Sequence, residues 1–98
     1  MKPLINIINQ LHEIEKKLPD GGSIGRHLER IRHELEALGY SWHAPTGEKW
    51  DATRTDCEAS ITGTLRDRMV ITDVIKPVIH QEQEGTRRIV QKAVVVVA

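Results

Sequence analysis

Cys57 is the single thiol of the sequence. With a histidine and an acid from elsewhere in the chain, such as His80 and Asp73, it has the parts of a nucleophile, a base and an orienting carboxylate. No motif flanks it, however. Cys57, Ala59 and Ile61 alternate with Glu58, Ser60 and Thr62, so the thiol falls on the inward face of an expected strand, where it acts as a small buried hydrophobe. The five histidines, His12, His27, His33, His43 and His80, are the other candidate bases and ligands. None is paired at the i, i+4 spacing of zinc-binding helices and none adjoins Cys57, so no metal site is expected. Residues 51–56 offer the carboxylates of Asp51 and Asp56 but lack the central glycine and terminal bidentate glutamate of a calcium loop. Gly21-Gly22-Ser23-Ile24-Gly25 has no following lysine and comes after a helical pattern rather than a strand, which makes it a turn and not a phosphate cradle. The expectation is a protein that is not an enzyme, has no cofactor, and works by binding or assembly.

The elements that position these residues are short of material. The 98 residues suffice for one small domain, or a helical element plus a smaller unit. Lys plus Arg and Asp plus Glu both count 14, and the balance holds within residues 1–40 and within 41–98, so neither nucleic-acid phosphates nor an anionic membrane find a basic surface. Apolar residues are 39%, with no Phe, two Trp and one Tyr. A core of Ile, Val, Leu and Ala follows, thin enough that a partner would complete it. The longest apolar run, 93–98, is far short of the ~20 residues that span a bilayer, and no charged-then-apolar leader opens the sequence. With its lone cysteine, the chain is expected to be soluble, unexported and cytoplasmic.

Leu4, Ile7, Leu11, Ile14 and Leu18 follow the three-four spacing of a heptad seam and predict a helix, with Pro3 in its first turn. Pro19, Asp20, Gly21 and Gly22 stop it. Ser23 is placed to cap a second helix, whose seam is Ile24, Leu28, Ile31, Leu35 and Leu38 and which Gly39 closes. Arg30 with Glu34 and Arg32 with Glu36 mark its solvated face. Ile5 and Ile8 widen the first stripe beyond what one neighbouring helix covers, which predicts dimerisation of the hairpin into a four-helix bundle. From residue 40, Pro45, Gly47, Gly63, Pro77 and Gly85 punctuate segments rich in Val, Ile and Thr, which predicts short strands. Val70-Ile71, Val74-Ile75 and Val78-Ile79 recur every four residues in what reads as one strand burying both faces, and Val94 to Val97 suits a strand buried on both sides. Trp42 and Trp50 either form an aromatic binding surface or plug the junction of helices and sheet. The expected class is α+β: a helical hairpin over residues 1–39 and a small all-β domain over 40–98.

Three stretches carry a family resemblance. Leu35-Glu36-Ala37-Leu38-Gly39 resembles the end of the short bundle helices of the GrpE family, nucleotide-exchange co-chaperones of DnaK-type chaperones. Gly47-Glu48-Lys49-Trp50-Asp51 resembles that family's Gly-x-x-Phe-Asp-Pro, and Glu58-Ala59 its His-Glu-Ala. Arg88-Ile89-Val90-Gln91-Lys92-Ala93-Val94-Val95-Val96-Val97 resembles its terminal strand, Arg-Val-Leu-Arg-Pro-Ala-x-Val-x-Val. The departures are Ala52 for the proline, Cys57 for the histidine, Gln91 and Lys92 for Arg and Pro, and Lys76-Pro77 in place of a Gly-Tyr turn. The family's long N-terminal coiled coil has no counterpart in the sequence. The resemblance implies a homodimer built on the ten seam residues. It also implies a β domain that meets the chaperone's ATPase domain through Trp50, Asp51, Lys76, Pro77, Arg87, Arg88 and Lys92, in protein folding and the stress response. A dimeric adaptor of the same fold without exchange activity is the alternative.

Overall fold

The computed structural model describes residues 2–18, 22–63 and 68–98. Two helices lead the chain, α1 over Lys2–Lys17 and α2 over Gly22–Ala37. Pro3 lies in the first turn of α1, where its missing N–H leaves no bond unmade. The expected stop at Pro19, Asp20 and Gly21 lies outside the described residues. Because α2 already includes Gly22, Ser23 sits inside the first turn and not at the cap expected of it. The other end closes as the sequence predicts. Gly39 takes a φ of 92° and donates its N–H to the Glu36 carbonyl at 2.9 Å. A Cβ at Gly39 would lie 2.6 Å from the Glu82 carbonyl oxygen, and Glu82 N–H donates to the Gly39 carbonyl at 2.7 Å. Both backbone conformation and close approach therefore demand glycine where helix gives way to sheet.

Seven strands follow in two sheets. β1 is Tyr40–His43, β2 Lys49–Trp50, β3 Cys57–Ile61, β4 Met69–Lys76, β5 Val78–Gln83, β6 Thr86–Gln91 and β7 Ala93–Val97. One sheet runs β1-β5-β6, all antiparallel, and the other runs β2-β4-β7-β3, with β3 parallel to β7. The single strand expected across Val70 and Ile79 is instead two. Pro77, which has no N–H to give a ladder, separates β4 in one sheet from β5 in the other. The chain crosses back at Lys92, between β6 and β7. The four-residue recurrence has a second cause. The pairing of β4 with β7 slips between Ile71 and Asp73 and again between Val74 and Lys76, so each bulge adds a residue and rephases the alternation. Met69, Ile71 and Val74 consequently face inward, while Val70 and Ile75 face out.

Two cores result. Met69, Ile71, Val74, Val78, Ala93, Val95 and Val97 fill the first, with Trp50, Cys57 and Ala59 against it. Ile61 does not join its expected inward companions and stays exposed at the end of β3. β7 buries Ala93, Val95 and Val97 completely but leaves Val94 and Val96 half-covered, so it is buried fully on one face only. The second core is shared by helices and sheet: Ile8, Leu11, Leu35, Tyr40, Trp42 and Ile79. Val78 and Ile79, the first two residues of β5, serve different cores because successive strand residues point to opposite faces. Trp42 is thus a plug between α1, α2 and the three-stranded sheet, with its Nε1 lacking an acceptor among the described residues. Arg32 departs from the solvated face expected of it. It stacks 4.1 Å from the Trp42 ring centroid, donates to the Trp42 carbonyl at 3.0 Å and pairs with Glu15 of α1 at 3.2 Å.

Polar bonds then fix α1 to the places where the β ladder is irregular. His12 Nε2 meets the Val74 carbonyl at 3.1 Å, and Lys16 Nζ donates to the same oxygen at 2.9 Å while pairing with Asp73 at 3.0 Å. The Asn9 and Gln91 amides bond reciprocally at 3.1 and 2.8 Å, and Gln91 also donates to the Pro77 carbonyl at 2.9 Å. A bulge frees a carbonyl from the ladder, and these side chains are its substitute partners. No helix of the described residues is long and apolar enough to cross a membrane.

Candidate partner-binding surface

The segment from β2 to β3 carries the Trp50 and Asp51 positions, and one arginine organises it. Arg54 donates to both oxygens of Asp56, from Nε at 3.0 Å and Nη2 at 2.9 Å, to Glu48 at 3.2 Å, and to the Lys49 carbonyl at 3.0 Å. The forked geometry suits a guanidinium facing a carboxylate. It ties the edge strand β2 to the residue before β3, while Asp56 O accepts from Ala93 N–H at 2.9 Å. The hydrogen bonds of Arg54 hold the Asp56 carboxyl down to about 2, and Arg54 itself is pushed above its ordinary range by Asp56. Glu48 is lowered chiefly by its contact with His43 Nε2, then by Arg54. Glu48, Arg54 and Asp56 therefore alternate in charge up to the start of β3, with His43 bonded to Glu48 at the end of β1.

Asp51 takes the Thr53 N–H at 2.8 Å and the Thr53 hydroxyl, and these bonds lower its pKa. Such a turn is a local structure that any polar loop can make. Trp50 packs its ring against the first core and is half-buried. Trp50 pairs with Met69 at one end of β4, and Lys76 is the last residue at the other end. At about 3.3 Å per residue, the two lie on the order of 20 Å apart. Lys92 marks the second crossing between sheets. Pro77 is fully buried and offers no side chain to a partner, a correction to its expected place on the surface: its uncharged ring stays inside beside buried Val78 and Ile79, while Lys76 before it is exposed. Arg87 and Arg88 stand on β6, an edge strand, opposite Glu82 and Gln81. The expected surface is thus two patches, one at β2 and one around the crossings and β6.

Nor do the ten seam residues share one environment. Leu11 and Leu35 are buried in the protomer's own core, with Leu4 and Leu28 packed against it. The isoleucines face the other way: Ile7, Ile14, Ile24 and Ile31 are 51, 44, 55 and 43% exposed, and Leu38 is 68% exposed. Leu18 is half-buried. Leu4, Leu11, Leu28 and Leu35 are committed to the fold, and the four isoleucines together with Leu38 are uncovered.

Cys57, His80 and Asp73 make no common site. Asp73 pairs with Lys16, His80 with Arg87, and Cys57 lies beside Asp56. Burial first, and the Asp56 carboxylate next, push the Cys57 thiol up to about 11, the reverse of what a nucleophile needs. No family model matches the chain, and neither a curated protein nor a solved structure matches it. Arg32, Arg54 and Gln91, which position the loop, the helices and the crossings, escape sequence reasoning because each acts through partners distant in sequence or through backbone oxygens. Arg54 alone carries a signal, standing between Asp51 and Asp56.

Proposed function

We propose that the protein is a GrpE-like co-chaperone, a homodimer that binds the ATPase domain of a DnaK-type chaperone and promotes release of ADP. The observation that carries the reading is how the resembling stretches fall on the fold. The helix pair ends in Gly39 with positive φ and passes directly into β1. Gly47 to Asp51 then forms the approach to β2 and the strand itself, Glu58 and Ala59 lie in β3, and Arg88 to Val97 makes the β6 to β7 crossing. The uncovered isoleucines of α1 and α2 are the surface a second copy would cover, completing a four-helix bundle. The contact with the ATPase domain is assigned to Trp50 and Asp51 at β2, and to Lys76, Lys92, Arg87 and Arg88 around the crossings.

Exchange requires no catalytic group. A protein that binds the nucleotide-free form of a chaperone more tightly than the nucleotide-bound form must, by linkage, weaken nucleotide affinity by the same factor. The deciding experiment is the release rate of fluorescent ADP from a DnaK-type chaperone of the same cell, with and without the protein. Accelerated release supports the proposal. Binding without acceleration means the dimeric adaptor, and absence of binding refutes the co-chaperone function.

A further inference from the structure

β5 and β6 join at Glu84 and Gly85, whose φ values are 53° and 78°, a tight two-residue turn. The ladder sets His80 opposite Ile89, Gln81 opposite Arg88 and Glu82 opposite Arg87. Across it, two adjacent arginines are held by different acceptors. Arg88 Nη2 donates to the Gln81 amide oxygen at 3.2 Å, and Arg87 Nη2 donates to His80 Nδ1, also at 3.2 Å. A guanidinium has donors only, so the second bond exists only while Nδ1 keeps its lone pair, in the neutral ring with its proton on Nε2. We propose that His80 is a positioning residue that holds Arg87 for the partner at neutral pH and releases it on acidification. The partner in that statement rests on the co-chaperone reading; the hold itself does not.

The surroundings of His80 favour the neutral ring. Burial lowers its pKa from 6.5, the Arg87 charge lowers it further and His43 of β1 adds to this, while Asp56, just before β3, opposes them. Glu82, two residues along β5, stands opposite Arg87 in the ladder. Protonation puts a donor on Nδ1 facing a donor and sets a second cation beside the guanidinium. Arg87 is exposed and swings free. Arg88 is unaffected, because an amide does not titrate in this range. One arginine of the pair is thereby a constant contact and its neighbour a conditional one.

The test uses the whole chain. Long-range proton–nitrogen spectra of the histidine rings should show His80 with the proton on Nε2 at about pH 7.5, and its titration midpoint should rise in Arg87→Met. Affinity for the isolated ATPase domain should fall about tenfold from about pH 7.5 to about pH 5.5 in the wild type. His80→Gln, which supplies an acceptor that does not titrate, should keep neutral-pH affinity and lose that dependence; His80→Leu should be weak throughout. A proton on Nδ1 at neutral pH, an unmoved midpoint in Arg87→Met, or equal pH profiles for wild type and His80→Gln would overturn the proposal. A wild type that binds the ATPase domain at no pH refutes the co-chaperone function, while the ring spectra still decide whether His80 holds Arg87.

Discussion

Replacing Asp56 with Asn tests whether the Arg54 clamp holds the β2 to β3 segment through charge. Asn keeps an oxygen for one of the two guanidinium bonds and removes the negative charge. The Asp56 carboxyl sits at about 2 against an ordinary 3.8, and a shift of that size corresponds to about 2.5 kcal/mol if nothing screens it. The Arg54 and Asp56 side chains are 19 and 31% exposed, so solvent screening reduces the contribution to about 1 kcal/mol. The sign fixes the pH window. A folded-state pKa below the unfolded one gives stability that is fully present above about pH 4 and is lost as the pH falls through about 2. Urea unfolding of wild type and Asp56→Asn at one fixed protein concentration, from neutral pH down to acid, should show a gap of about 1 kcal/mol that is flat above about pH 4 and closes towards about pH 2. A gap that persists undiminished in acid means that packing or the lost second bond, not charge, holds the segment. No gap at neutral pH removes the clamp altogether.

Gly39→Ala should cost about 2 kcal/mol or more in urea unfolding, since it combines left-handed strain with a Cβ 2.6 Å from the Glu82 carbonyl. Ile7→Lys with Ile31→Lys should give folded monomers by light scattering and circular dichroism, whereas Leu11→Ala should lower stability by about 2–5 kcal/mol, because Leu11 belongs to the protomer's own core. A mass unchanged by the double isoleucine variant would place any self-association elsewhere. Cys57→Ala should cost about 1 kcal/mol and leave partner binding intact, and with a thiol pKa of about 11 the native protein should react slowly with thiol reagents near neutral pH. Rapid labelling would contradict its burial.

The sequence was most legible where a pattern was local. Three-four spacing located both helices, and Gly39 followed by polar punctuation marked the change to strands, because these depend on neighbours within a turn or two. Legibility failed where a residue's environment is set by a distant element. A heptad seam records which positions are apolar, yet cannot tell a helix's own sheet from a second copy. The leucines facing Ile79 and Tyr40 and the isoleucines facing outward therefore looked like one stripe. Arg32 fitted an i, i+4 pair with Glu36 equally well, and the Trp42 ring, ten residues on, drew it away.

The β4 to β5 region fails in a more instructive way. Period-two reasoning assumes an unbroken ladder, and this ladder is broken twice by bulges and once by Pro77. Two of these irregularities have partners from α1: His12 and Lys16 at the Val74 carbonyl, and Asn9, through Gln91 of β6, at Pro77. These polar side chains of α1 help to make an irregular strand tolerable. The same crossing that buries Pro77 sets β6 free as an edge, with Arg87 and Arg88 on it. Gln91 joins helix, crossing and arginine edge: it stands on the same strand as Arg87 and Arg88, bonds Asn9 of α1 reciprocally, and donates to the Pro77 carbonyl at the crossing.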